Sequence, residues 1–183
     1  MQLIQEQQPK THYLAVYRVY HPEFPKLALY GGEYPGASLP QLHHQKVQEL
    51  TALGITSSLC LMQSSEFNYF LPYVSKVDKL KQDFNFFNYP IVDMGVPDNA
   101  LMKTILDKID ALIAKEEHIY VHCAGGHGRT GTVIGCWLKR HHLQNEEIYQ
   151  KLMDWRKQTL FGDEPSPQTR HQLMMIKQWP LGE

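Results

Sequence analysis

The sequence predicts a single α/β domain, a central mixed sheet flanked by helices. Segments with strand character alternate with segments of helical periodicity, the pattern that layers helices on a sheet. The 183 residues are 43% hydrophobic and 20% charged, a balance suited to one substantial core. No repeat, low-complexity block or long linker divides the chain. Residues 1–10, including the polar run QEQQPK, read as a frayed segment, and residues 11–183 as the domain.

The elements follow in order. THYLAVYRVY and KLALYGG are rich in aromatic and branched residues and read as strands. Ser38, Leu39 and Pro40 start a helix whose apolar stripe is Leu42, Val47, Leu50 and Leu53, and Gly54 is placed to end it. ITSSLCLM reads as a buried strand, Glu66 to Leu80 as a helix broken near Pro72, and FNFFNYPI as the next strand. Leu101, Ile105, Ile109 and Leu112 recur at helical spacing, with Asp98 or Asn99 as the cap. HIYVH is a strand, and Thr130 to His142 a helix carrying Val133, Ile134, Trp137 and Leu138. Asn145 caps a helix to about Gln158, and Ser166-Pro167 opens the last one.

Composition narrows the function classes. A formal net charge of −1 creates no global field for nucleic acid or an anionic membrane, so neither is an expected partner. The N-terminus lacks a basic stretch followed by an apolar one, so it does not read as a secretory signal. No run approaches the roughly 18 apolar residues that span a bilayer. Three cysteines, Cys60, Cys123 and Cys136, make no even-numbered disulfide framework, and a reducing cytoplasm is the expected compartment.

The chemistry concentrates in VHCAGGHGRTGT, Val121 to Thr132. Glycine inside a regular element costs about 0.5–1 kcal/mol relative to alanine, so such a cluster signals a loop with a task. Ahead of a helix, backbone N–H groups of Ala124, Gly125, Gly126, His127 and Gly128 can converge on an anion, helped by the helix dipole. Arg129 adds a planar fork of donors that suits phosphate. A thiol in that setting ionises below its free value of about 8.5. The motif therefore reads as a seat for a tetrahedral dianion with sulfur as the attacking atom. A Walker A loop would need Gly-Lys-Ser/Thr, and the lysine is missing. His122, Cys123 and His127 lack the second half of a zinc ligand set. An inert buried cysteine would leave Arg129 and the glycines without a purpose.

HCAGGHGRTG resembles the His-Cys-x5-Arg-Ser/Thr signature of the cysteine-dependent protein tyrosine phosphatases, and specifically the small dual-specificity type. YGGEYPGA, YPIVDMGVP and SPQTRHQ resemble, in the same order, their opening strand and turn, general-acid loop and glutamine-bearing helix. The resemblance spans Tyr30 to Trp179 and implies the phosphatase fold with a mostly parallel sheet. It also implies hydrolysis of phosphomonoesters through a phosphocysteine on Cys123, without metal or other cofactor, on a phosphorylated protein.

Asp93 is the preferred general acid, with Asp98 the runner-up because it also suits a helix cap. Thr130 donates to the departing sulfur or caps the helix, and His122 supports the loop. Gln168 and Gln172 are read as sharing one helix face; the resemblance implies that Gln168 orients the hydrolytic water, and a solvated pair is the alternative. His127 at the mouth leaves open phosphoinositides, inositol phosphates or an RNA 5′ phosphate as substrates. A phosphate-binding pseudophosphatase is the non-enzymatic alternative. Cys60 and Cys136 are expected in the core, with a redox partnership to Cys123 open. The KRHH cluster, Lys139 to His142, complements a helix C-terminus.

Overall fold

The computed structural model describes residues 6–80 and 84–183. One five-stranded sheet runs in the order β1-β2-β5-β3-β4. Its strands are β1 Val16–Val19, β2 Leu29–Gly32, β3 Ser57–Cys60, β4 Asn85–Asn88 and β5 Ile119–His122. β1 is antiparallel to β2, and the pairs β2–β5, β5–β3 and β3–β4 are parallel. The mixed, mostly parallel sheet expected from the sequence is thus present. The ten-residue apolar segment before β2 pairs only over Val16–Val19 for a specific reason. Side chains take its earlier amides: Glu49 accepts from His12, Tyr13 and Leu14, and Glu33 accepts from Ala15.

Among the described residues six α-helices surround the sheet: α1 Pro40–Ala52, α2 Val74–Leu80, α3 Asn99–Ile113, α4 Arg129–Arg140, α5 Asn145–Arg156 and α6 Arg170–Gln178. Pro40 opens α1, and Gly54, at φ +76°, follows its end in a left-handed conformation that a side chain rarely adopts. His43 takes a core position beside Val47 and Leu50, in place of an all-apolar stripe. The segment broken at Pro72 is a 3-10 helix, Ser64–Tyr69, followed by α2.

Two helix starts differ from the sequence expectation. Asn145 is the first residue of α5, not its cap, and its side-chain oxygen accepts from Lys139 at 3.0 Å. Ser166-Pro167 does not open α6: the Ser166 hydroxyl bonds the His127 carbonyl, and Thr169 with Gln172 forms a capping box three residues further on. Glu6 and Gln8 of the 1–10 segment reach the rest of the domain. Glu6 accepts from Lys151 and Trp155, and Gln8 bonds both backbone polar groups of Arg18. Residues 1–5 of that segment lie outside the described residues.

The layers close on α4, which is buried along its whole length and packs against α3, α5 and α6. Close approach to α6 needs Gly135, where a Cβ would lie 2.3 Å from the Ile176 side chain. The KRHH cluster serves this packing: Arg140 pairs with Asp107 and Asp110, and His141 with Asp110. Among the described residues no helix is long and apolar enough to cross a membrane. β5 lies between β2 and β3, so the loop after it opens at the carboxyl edge of a parallel sheet, where open α/β sheets bind ligands.

Candidate active site

Cys123 follows the last residue of β5, and the loop to α4 is moulded onto the end of β2. Gly126, at φ +79°, leaves no room for a Cβ, which would come within 2.4 Å of the Gly32 backbone. The Tyr34 amide donates to the Ala124 carbonyl at 3.0 Å and holds the other side of the loop. The Gly126 amide then donates to the Cys123 Sγ at 3.3 Å. Gly128 precedes α4 without any side-chain cap, so the positive end of the helix dipole faces the loop. Thr130 is fully buried and its hydroxyl has no hydrogen-bond partner among the described residues.

Arg129, 2% exposed, is gripped rather than loose. Its Nη1 and Nη2 donate to the two carboxylate oxygens of Glu66 at 2.7 and 2.8 Å, and Nη1 also donates to the Ile91 carbonyl at 3.1 Å. Nη2 meets Asp93 Oδ1 at 2.9 Å. Burial works against the Glu66 charge, but the Arg129 bonds and charge outweigh it and hold that carboxyl below its ordinary range. Asp93, with a side chain 66% exposed, contacts the guanidinium from the solvent side. Asp98 does something else: its carboxylate accepts from the Leu101 amide at 2.7 Å and caps α3. The two candidate acids are thereby distinguished by geometry.

His122 lies at the centre of a buried chain. Its Nε2 meets the Tyr73 hydroxyl at 2.8 Å, that hydroxyl meets Ser58 at 2.6 Å, and its Nδ1 faces the Cys123 carbonyl. Burial is the main cause that pushes the imidazole down to about 3, and the Arg129 charge adds to it. His122 is therefore neutral at physiological pH and supports the loop backbone.

Gln168 and Gln172 do not share a helix face, because α6 begins only at Arg170. Gln172 is buried and bridges two segments: its Oε1 accepts from the Gln168 and Thr169 amides, and its Nε2 donates to the Gly95 carbonyl at 3.0 Å. The loop carrying Asp93 is thus tied to α6. Gln168 points at the phosphate loop, its Oε1 2.3 Å from where a Cβ on Gly128 would stand. His127 is 7% exposed and stacks on Phe161, so its ring is not a free cation at the mouth. Burial first, and the Arg156 charge second, push it below the ordinary histidine value. Cys60 and Cys136 are free, buried thiols in the core, and burial pushes Cys60 up to about 12. Among the described residues no group of three His, Cys, Asp or Glu side chains is placed to hold a metal.

Sequence reasoning missed Glu66, and it read Tyr73 as a residue of the core or cleft, where it lies buried and also meets His122. Glu66 left a local trace, since it stands three residues after Gln63 and accepts the Gln63 amide as in a capping box. Its second role depends on Arg129, 63 positions away, and leaves no local trace. The site thus sets a thiol that accepts from the Gly126 amide in one loop with a buried guanidinium, which an exposed carboxyl contacts.

The chain belongs to the PTP-SAK family, described as Swiss Army Knife protein, DSP-PTPase phosphatase domain, whose model matches residues 31–175. It is 37% identical over 115 residues to the invertebrate iridescent virus 3 protein named "Putative tyrosine phosphatase 067L", covering 61% of this chain and 42% of that one. The aligned segments span about two fifths of the curated relatives it matches. Two solved structures share the fold. Kinase associated phosphatase, with its catalytic cysteine replaced by serine, superposes with a TM-score of 0.68 at 21% identity, over 93% of this chain and 94% of that one. PTPMT1 in complex with PI(5)P superposes with a TM-score of 0.66 at 17% identity, over 90% and 94%.

Proposed function

We propose that the protein hydrolyses phosphomonoesters on phosphoproteins through a phosphocysteine at Cys123. One observation carries this reading: Arg129 touches Asp93 while the Gly126 amide points at the Cys123 sulfur. The thiolate attacks phosphorus, and the leaving oxygen departs with the proton of Asp93, contributing about 10²–10⁴-fold. Arg129 and the amides of Ala124 to Gly128 hold the equatorial oxygens throughout, where most of the charge stabilisation arises. Water then attacks the phosphocysteine, Asp93 accepts its proton, and inorganic phosphate leaves as the thiolate re-forms. Gln168, beside Gly128, orients that water. The partnerless Thr130 hydroxyl donates to the sulfur as it departs.

The surroundings favour a protein substrate over a polyanionic one. Glu164, 3.9 Å from His127, and Asp93 put carboxylates near the mouth, and His127 is held neutral. Val92, Met94 and Val96 on the acid loop expose apolar surface that suits the residues flanking a phosphorylated side chain. PTPMT1 was solved with a phosphoinositide, but the fold is shared across substrate classes and the rim of this chain offers a second phosphate little attraction. We place the enzyme in the cytoplasm, where three unpaired thiols persist.

The test is release of p-nitrophenol from p-nitrophenyl phosphate in EDTA, with and without vanadate. Turnover blocked by vanadate is expected. No turnover from folded protein across pH 5–8 would refute the reading, whereas loss of activity in EDTA would refute only its metal independence.

A further inference from the structure

A second guanidinium lies behind the phosphate loop, and the chemistry above makes no use of it. Arg156, the last residue of α5, is 2% exposed. Nη1 donates to the Glu164 carbonyl at 2.9 Å and Nη2 to the Phe161 carbonyl at 2.6 Å. Among the described residues no carboxylate lies within ion-pair distance of it. A buried cation hydrogen-bonded to carbonyl dipoles, with the Glu164 charge acting on it from beyond ion-pair distance, keeps part of its field for its surroundings.

The segment that Arg156 gathers is braced against the loop. The Thr159 amide and hydroxyl both return to the Arg156 carbonyl, and Gly162 sits where a Cβ would come 2.5 Å from that same oxygen. Phe161 stacks on His127 with ring centroids 5.7 Å apart, and Ser166 bonds the His127 carbonyl at 2.8 Å. A continuous path of contacts therefore runs from Arg156 to the phosphate loop. The Tyr17 hydroxyl, buried and without a hydrogen-bond partner among the described residues, interacts electrostatically with both Arg156 and Cys123.

We propose that Arg156 is a positioning residue: it fixes the 161–166 segment beneath the phosphate loop and adds a second positive charge that stabilises the Cys123 thiolate and the bound phosphoryl group. The other groups facing Cys123 cannot substitute for it. His122 is neutral, Tyr17, Tyr120 and Cys60 are pushed toward their neutral forms by burial, and Arg129 is shared with Glu66 and Asp93. Glu164 and His127 face Arg156 from the braced segment and the loop. The inference rests on the phosphatase reading of the site, but its test does not need turnover.

The experiment measures the rate of iodoacetate alkylation of Cys123 against pH, and protection by inorganic phosphate, in the full chain with Cys60 and Cys136 replaced by alanine. In Arg156→Met the alkylation midpoint moves up by about one pH unit and phosphate protects about tenfold less well. Arg156→Lys keeps the charge and loses the fork, so its midpoint stays at the parent value while turnover falls about threefold. A folded methionine variant with parental midpoint and protection would overturn the proposal. So would a folded lysine variant whose midpoint rises, and that result can be read even if the methionine variant does not fold. A brace without electrostatic effect lowers Tm and leaves both readouts in place. Failure of the parent to turn over p-nitrophenyl phosphate would count against the phosphatase reading alone.

Discussion

Cys123 and Cys136 bracket the first half of α4, and both are almost wholly buried. The first accepts from the Gly126 amide at the N-terminal side of the helix, and the Arg129 and Arg156 charges both interact electrostatically with it. The second lies inside the helix, and desolvation alone pushes its thiol far up. Burial thus says nothing about what a cysteine does. The donors and charges around the sulfur decide it, and they come from separate stretches of chain.

The hardest test of this contrast is to remove each sulfur in turn. Cys123→Ser is expected to lower turnover of p-nitrophenyl phosphate by about 10⁴-fold or more, because an alcohol at neutral pH is a far weaker nucleophile than an activated thiol. Cys136→Ala should leave turnover within twofold and lower stability by about 1 kcal/mol, read from urea unfolding. Comparable losses of turnover in the two variants would end the comparison.

A smaller effect separates Asp93 from Asp98, five positions apart in one loop. On an alkyl phosphate, whose leaving group needs a proton, Asp93→Ala should lower kcat by about 10²–10³-fold. Asp98→Ala removes a cap worth about 1 kcal/mol and leaves kcat nearly intact. The reverse ranking would move the acid to Asp98 and invalidate the geometry argued from Arg129.

The smallest effect concerns pH and the support beneath the thiol. Burial keeps the folded-state value of His122 near 3, against about 6.5 in the unfolded chain. Between these values the unfolded chain binds the extra proton, so stability present above about pH 6.5 is lost as pH falls toward 3. Thermal unfolding should show Tm declining from about pH 6.5 to about pH 4.5, and His122→Gln should flatten that decline. An unchanged slope in the glutamine variant would mean that His122 is solvated or charged in the folded protein.

How far the sequence could be read depends on the range of the interactions. The alternation of strands and helices, the glycine loop and the Asp98 cap are decided within a few residues of themselves. They were legible as patterns. The last helix was misplaced by three residues because the Ser166 hydroxyl answers to His127, on a different element. The expected strand before β2 was cut short by Glu49 and Glu33, which no local pattern reveals. Gln172 read as sharing a helix face with Gln168, in a functional or a solvated pair, yet it ties Gly95, 77 positions away, to α6.

The amino-acid order alone determined that a thiol and a guanidinium separated by five residues would flank a permissive backbone between a strand and a helix, since covalent spacing and glycine content set that geometry locally. Only the tertiary structure decided which distant groups meet: Glu66 and Asp93 on Arg129, Gln172 on the acid loop and Arg156 on the carbonyls of Phe161 and Glu164. Electrostatic and hydrogen-bond energies depend on distance in space, and chain closure sets those distances between residues that sequence separation keeps far apart.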